Sequence, residues 1–168
     1  MIKTVFKYGI FGLVTSMVLF LIGFLLLQHL DYSVQEVLGY ASMLISLSFV
    51  FFGIKHFRDK ENGGKVSFGK ALWIGLLIAV ITGLGTAIID YIYTTVINPD
   101  FAQEYLETTL GTMKDSMPAE TFEVKKAELE QQMEQYGGSG FMAFVMFASV
   151  VLIGFVVSLI SALVLQRK

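Results

Sequence analysis

Apolar residues gather in four long runs, at about 8–27, 37–54, 71–97 and 141–165, with almost no charge inside any of them. A helix needs roughly 20 consecutive apolar residues to cross the hydrocarbon core of a bilayer. The pattern therefore predicts an all-α integral membrane protein with four transmembrane helices. The first run follows Lys3 and Lys7 and ends at Gln28, His29 and Asp31. A secretory signal peptide has a shorter apolar stretch and small residues at its cleavage site, where this chain has Leu27-Gln28-His29-Leu30, so a retained helix is expected.

The polar stretches between the runs set the expected topology. Ser33-Val34-Gln35-Glu36 has the form of a capping box, in which the serine and glutamate side chains satisfy free amides of the first helical turn. Helices one and two are then joined by only a few residues, as an antiparallel hairpin, and helices three and four form a second antiparallel pair joined by a much longer segment at 98–140. A polar loop at 55–70 connects the two pairs. Four crossings place both ends of the chain on one side. Lys3, Lys7, Lys55, Arg58, Lys60, Lys65, Lys70, Arg167 and Lys168 fall on that side and Lys114, Lys125 and Lys126 on the other, nine basic residues against three. Basic residues near helix ends resist translocation, so the termini are expected in the cytoplasm, N-in and C-in.

The acidic segment at 98–140, between the third and fourth runs, is expected outside. Asn98-Pro99-Asp100 resembles a helix start, with asparagine as cap and proline at the first helical position. Phe101, Tyr105, Leu110, Met113 and Met117 then recur at helical spacing, Pro118 breaks the run, and Phe122, Leu129, Met133 and Tyr136 resume it until Gly137-Gly138-Ser139-Gly140. The expected object is an external amphipathic helical hairpin. Its acids, spread unevenly over two helices, match no calcium loop and are read as a solvated face.

Composition narrows the chemistry. Of 168 residues, 55% are hydrophobic and 15% charged, and mean hydropathy is +0.68, too little polar surface for a water-soluble fold of this size. There is no cysteine, hence no disulfide, thiolate metal site or cysteine nucleophile. His29 and His56 are expected on opposite faces of the membrane, where they cannot share a metal. Gly64-Lys65-Val66-Ser67-Phe68-Gly69-Lys70 approaches a phosphate-binding loop, but Ala71 stands where serine or threonine must hold magnesium and no strand precedes it. No catalytic constellation, cofactor site, metal site or nucleic-acid partner is expected.

Two intramembrane features stand out. Ala71, Gly75, Ala79, Gly83 and Ala87 form a small-residue stripe at four-residue spacing on the third helix, and Gly154, Ser158 and Ala162 answer it on the fourth. Such stripes let helix backbones approach closely in lipid, so this is a candidate packing seam, within the chain or in a homo-oligomer. Asp90 is the only acidic or basic residue within the four runs. At about 1.5 Å per residue from Ala71 it lies about 28 Å across a core about 30 Å thick, where an interfacial carboxylate is expected, with an ion site as the alternative if it sits deeper.

Gly53-Ile54-Lys55-His56-Phe57-Arg58-Asp59, Asn62-Gly63-Gly64, Ser67-Phe68-Gly69-Lys70-Ala71 and Ile97-Asn98-Pro99-Asp100-Phe101 occur in that order. With these segments the chain resembles, over essentially its whole length, a family of small bacterial four-helix membrane proteins catalogued only as a domain of unknown function. The resemblance implies this topology and a bacterial cytoplasmic (inner) membrane location, and supplies no reaction. Arg58, Asp59 and Lys70 form the candidate loop surface. A multi-pass, non-catalytic protein is expected, which sits in the lipid bilayer and binds or scaffolds a protein partner through the external hairpin. The alternative is an oligomeric passage for a small solute or ion.

Overall fold

The computed structural model describes residues 1–26, 30 and 32–167. His29, and the Ser33 side chain of the expected capping box, lie outside what is described. Among the described residues the chain forms six α-helices: α1 Ile2–Leu26, α2 Tyr32–His56, α3 Phe68–Ile92, α4 Phe101–Ser116, α5 Ala119–Tyr136 and α6 Ser139–Leu165. Four stretches are long and apolar enough to cross a membrane, Ile2–Leu26, Val34–Glu61, Phe68–Ile97 and Ser139–Leu165. The chain divides into two compact units, one of Met1–Ile89 with Met146–Lys168 and one of Asp90–Val145.

The first unit is a helical bundle organised around α3. Half of the apolar window of α3 is buried, against 17% for α1 and 22% for α6. Helix α3 therefore carries contacts on several sides while its neighbours keep a broad outer face. That face is apolar: Phe6, Val14, Leu25, Phe52, Leu152 and Leu163 are all exposed. Such a surface suits hydrocarbon, because in lipid only the backbone and polar groups need internal partners. The buried core gathers Val5, Ile54, Phe57, Val66, Ile74 and Leu165 at one end of the bundle and continues through Val50, Leu47, Ile78 and Val150.

Helix α2 outlasts its apolar run. It passes Ile54 and His56 into a π-helical turn at Phe57–Glu61, so the polar connection expected at 55–70 shrinks to residues 62–67. Helical hydrogen bonding does not depend on hydropathy, which is why polar residues prolong the helix. The chain reverses at Gly63 and Gly64, whose φ values of 62° and 81° lie in the left-handed region that only glycine enters without strain. The Gly64 N–H donates to the Arg58 carbonyl at 2.8 Å and closes the turn.

The second unit holds the end of α3, a π-helical turn at Tyr93–Ile97, α4, α5 and the first turns of α6. Asn98 does not cap α4 in the expected way. Its N–H donates to the Tyr93 carbonyl at 2.7 Å, its Nδ2 donates to Glu104 at 2.8 Å, and its carbonyl accepts from the Phe101 N–H at 3.2 Å. Pro99 thus lies in a turn ahead of the helix, and Asp100 holds the cap position without a side-chain bond to the backbone. Helix α4 ends at Ser116, Met117 is extended, and Pro118 precedes α5. Helices α4 and α5 pack against each other. Two helices alone cannot enclose a core, and neither contains a buried residue.

Candidate functional site

The loop residues singled out by sequence form a structural junction. The π-helical turn carries Arg58 inward, to 7% exposure, where its Nε donates to Asp59 Oδ1 at 2.6 Å and its Nη2 to Asp59 Oδ2 at 3.2 Å. Its Nη1 donates to the Leu165 carbonyl at 3.3 Å. A helix leaves its last carbonyls unpaired, and a cation there also meets the negative end of the helix dipole. Arg58 therefore terminates α6 from the π-helical turn that follows α2. Beside it, Val66 and Arg167 exchange backbone hydrogen bonds at 3.0 and 2.9 Å. Lys70 extends its ammonium over the Phe57 ring, 5.0 Å from the centroid. Arg58 and Asp59 are thus brought together, and Lys70 is set on a neighbouring ring rather than on a shared ligand.

Glu61, Thr4, Val66 and Leu165 also belong to this junction and were not marked by the sequence. Thr4 Oγ1 and the Met1 amino group both donate to the Glu61 carboxylate, the latter at 2.6 Å. Nothing local signals these pairs, since each joins positions roughly 60 or 100 residues apart. Gly64 to Lys70 does not form a phosphate cradle: Gly64 completes a turn, Val66 pairs with Arg167, and Phe68 opens α3.

Small residues let α3 approach its neighbours. A Cβ at Gly75 would stand 2.6 Å from Ser158 Oγ and 2.8 Å from Ser158 Cβ, and one at Gly154 would collide with Ala79. At Gly83 the nearest atoms, on Phe147 and Val151, lie 3.2 and 3.3 Å away. Ala71 and Ala79 are fully buried, and Ala87 is half-buried. The stripe of α3 thus lies along α6 of the same chain. A second approach joins α3 to α1, where Gly85 meets Leu13 and Ser16, and Gly9 meets Ile81.

Hydroxyls occupy the middle of this bundle. Ser16, Ser42, Ser46, Thr82 and Thr86 line a small void, and Ser16 Oγ donates to the Thr82 carbonyl at 3.3 Å. Ser42, Ser46 and Thr82 each donate to the carbonyl four residues earlier on their own helix, the usual way a hydroxyl is satisfied in a membrane helix. Towards the end of α1 the helices part around a cavity of about 190 Å³ lined by Leu19, Phe20, Gly23, Leu38, Gly39 and Met43 among others.

Asp90 lies in the second unit and is 5% exposed, where the sequence led to an interfacial carboxylate in contact with water. Its Oδ2 is buried without a hydrogen-bond partner among the described residues. The Asp90 carbonyl accepts from Thr94 Oγ1 at 3.0 Å, and the Thr94 carbonyl accepts from Ser139 Oγ at 3.3 Å, so the backbone around it is tied down while Oδ2 is not.

The acids of α4 and α5 pair locally where they pair at all, as in Lys125 with Glu128 at 2.8 Å. Among the described residues no three histidine, aspartate or glutamate side chains converge to hold a metal ion. His56 packs its ring against Tyr8, 5.5 Å between centroids.

Residues 7–167 match the family described as Protein of unknown function (DUF4199). No curated protein and no solved structure matches the chain. With the match extending from the first turns of α1 to the bridge at Arg167, the chain belongs to the DUF4199 family, a family of unknown function to which the four apolar helices give the character of small membrane proteins.

Proposed function

We propose that this protein is a non-catalytic component of the bacterial cytoplasmic membrane that holds a protein partner through the α4–α5 hairpin. In this reading the chain crosses as two antiparallel helical pairs, the Arg58 junction faces the cytoplasm with both termini, and the hairpin stands outside. One observation carries it: an amphipathic helix pair with apolar residues at helical spacing has no buried residue of its own. Val124 and Tyr136 are 58% and 45% exposed, and apolar surface of this kind, ringed by acids, is what a partner covers. Photo-crosslinking from Val124 in native membranes tests the reading. A discrete protein adduct that disappears with Val124→Asp supports it, and crosslinking to lipid alone contradicts it.

A second reading, an oligomeric passage for a small solute or ion, draws on the buried carboxyl of Asp90. A polar group without a partner inside a membrane segment is costly, and such groups mark ion and proton sites. Flux into liposomes containing the purified protein separates the two readings.

A further inference from the structure

Asp90 is 95% enclosed, counted from its 5% exposure, and its Oδ2 has no donor among the described residues. The hydroxyl one turn on, Thr94 Oγ1, is turned to the Asp90 carbonyl instead. An ionised carboxylate in such a place loses its hydration and receives nothing in return, a cost far larger than that of a neutral acid with an unmade hydrogen bond.

No cation is supplied by the spanning helices. Residues 71–89, 91–99 and 137–166 contain no lysine, arginine, histidine, aspartate or glutamate, and their titratable side chains are Tyr91 and Tyr93. In 8–26 and 37–54 the titratable groups are Tyr8 and Tyr40. Glu36 stands at the start of α2, and the charged groups of α4 and α5 are acids such as Glu104, itself bonded to Asn98, and the lysines Lys114, Lys125 and Lys126. Lys125 pairs with Glu128, and Lys126 lies 4.0 Å from Glu130.

We propose that Asp90 is a proton-binding site, its carboxyl carried as the neutral acid in the resting protein. The ligand is a proton rather than a metal ion because a proton needs a single oxygen, whereas metal cations take several ligands at once. Release breaks the O–H bond, leaves the electron pair on the carboxylate and passes the proton to water. This holds whether or not the hairpin binds a partner, and so stands apart from the scaffold reading.

The test is infrared spectroscopy of the full chain in lipid nanodiscs, with ¹³C-labelled aspartate. Of Asp31, Asp59, Asp90, Asp100 and Asp115, one should show the carbonyl stretch of a protonated acid at neutral pH, lost on raising the pH and absent from Asp90→Asn. Dicyclohexylcarbodiimide, which reacts with protonated carboxyls in apolar surroundings, should label Asp90, more slowly as pH rises and unhindered by sodium or potassium. Five ionised aspartates in folded wild-type protein at neutral pH would overturn the proposal. So would protection of Asp90 by sodium or potassium, which would assign the site to a metal cation. If Asp90→Asn does not fold, the titration of the wild-type band and the position of the carbodiimide adduct decide alone.

Discussion

Arg58 and Leu165 are joined by a hydrogen bond of 3.3 Å across 107 residues of sequence, from a guanidinium on the turn after α2 to the last carbonyl of α6. Asp59, at its side, receives two further bonds from the same guanidinium and holds the fork in plane. The pair is a closure of the bundle, and Arg58, offered by sequence as part of a loop surface, serves first to end α6.

Replacing Arg58 by alanine should therefore destabilise the protein by about 2 kcal/mol, the usual cost of losing hydrogen bonds to a charged group, because the Leu165 carbonyl is left unmet. Asp59→Asn should cost less, since Asp59 is 35% exposed and water takes over its lost bonds. Arg58→Lys should fall between, keeping the charge and losing the fork. Thermal unfolding of the three variants in detergent checks the order.

The glycines give a graded series. Gly75→Ala sets a methyl 2.6 Å from Ser158 Oγ and should cost about 1–3 kcal/mol as overpacking. Gly83→Ala meets atoms at 3.2 Å or beyond and should cost less, because the neighbours need give by only a few tenths of an ångström. Gly39→Ala meets nothing within 4 Å and should be neutral or stabilising by up to about 1 kcal/mol, the helix-propensity difference. Equal melting temperatures for all three would remove the α3–α6 seam from the account.

Thr4→Val should release one of the two donors on Glu61 and lower stability by about 1 kcal/mol. The loss should vanish in a Glu61→Ala background, where the acceptor is gone. A double-mutant cycle measured by thermal unfolding reads this coupling directly.

Membrane orientation is tested by single cysteines at Lys60 and Glu128, both exposed positions in a chain without native cysteine. An impermeant thiol reagent added to intact spheroplasts should label position 128 alone. Labelling at position 60 alone would turn the proposed topology over.

The four helices long and apolar enough to cross a membrane were legible from the chain because a long unbroken apolar run is a property each segment carries by itself. The division of the 98–140 segment into two helices was legible for the same kind of reason: Pro118 and the glycines after Tyr136 act where they stand. The small-residue stripe marked α3 as a close-packing helix before its neighbour was known, since only a missing side chain is needed to announce a close approach. What covers the stripe, and that a second approach through Gly85 ties α3 to α1, depended on which helices came to lie beside it. Asp90 shows the limit most clearly. Counting residues placed it near a membrane boundary, but whether water reaches it is decided by the protein packed around it, and the fold encloses it. The bonds from Arg58 to Leu165 and from Val66 to Arg167 likewise have no local sequence signal, because a hydrogen bond between segments 100 residues apart exists only once the bundle has brought their ends together.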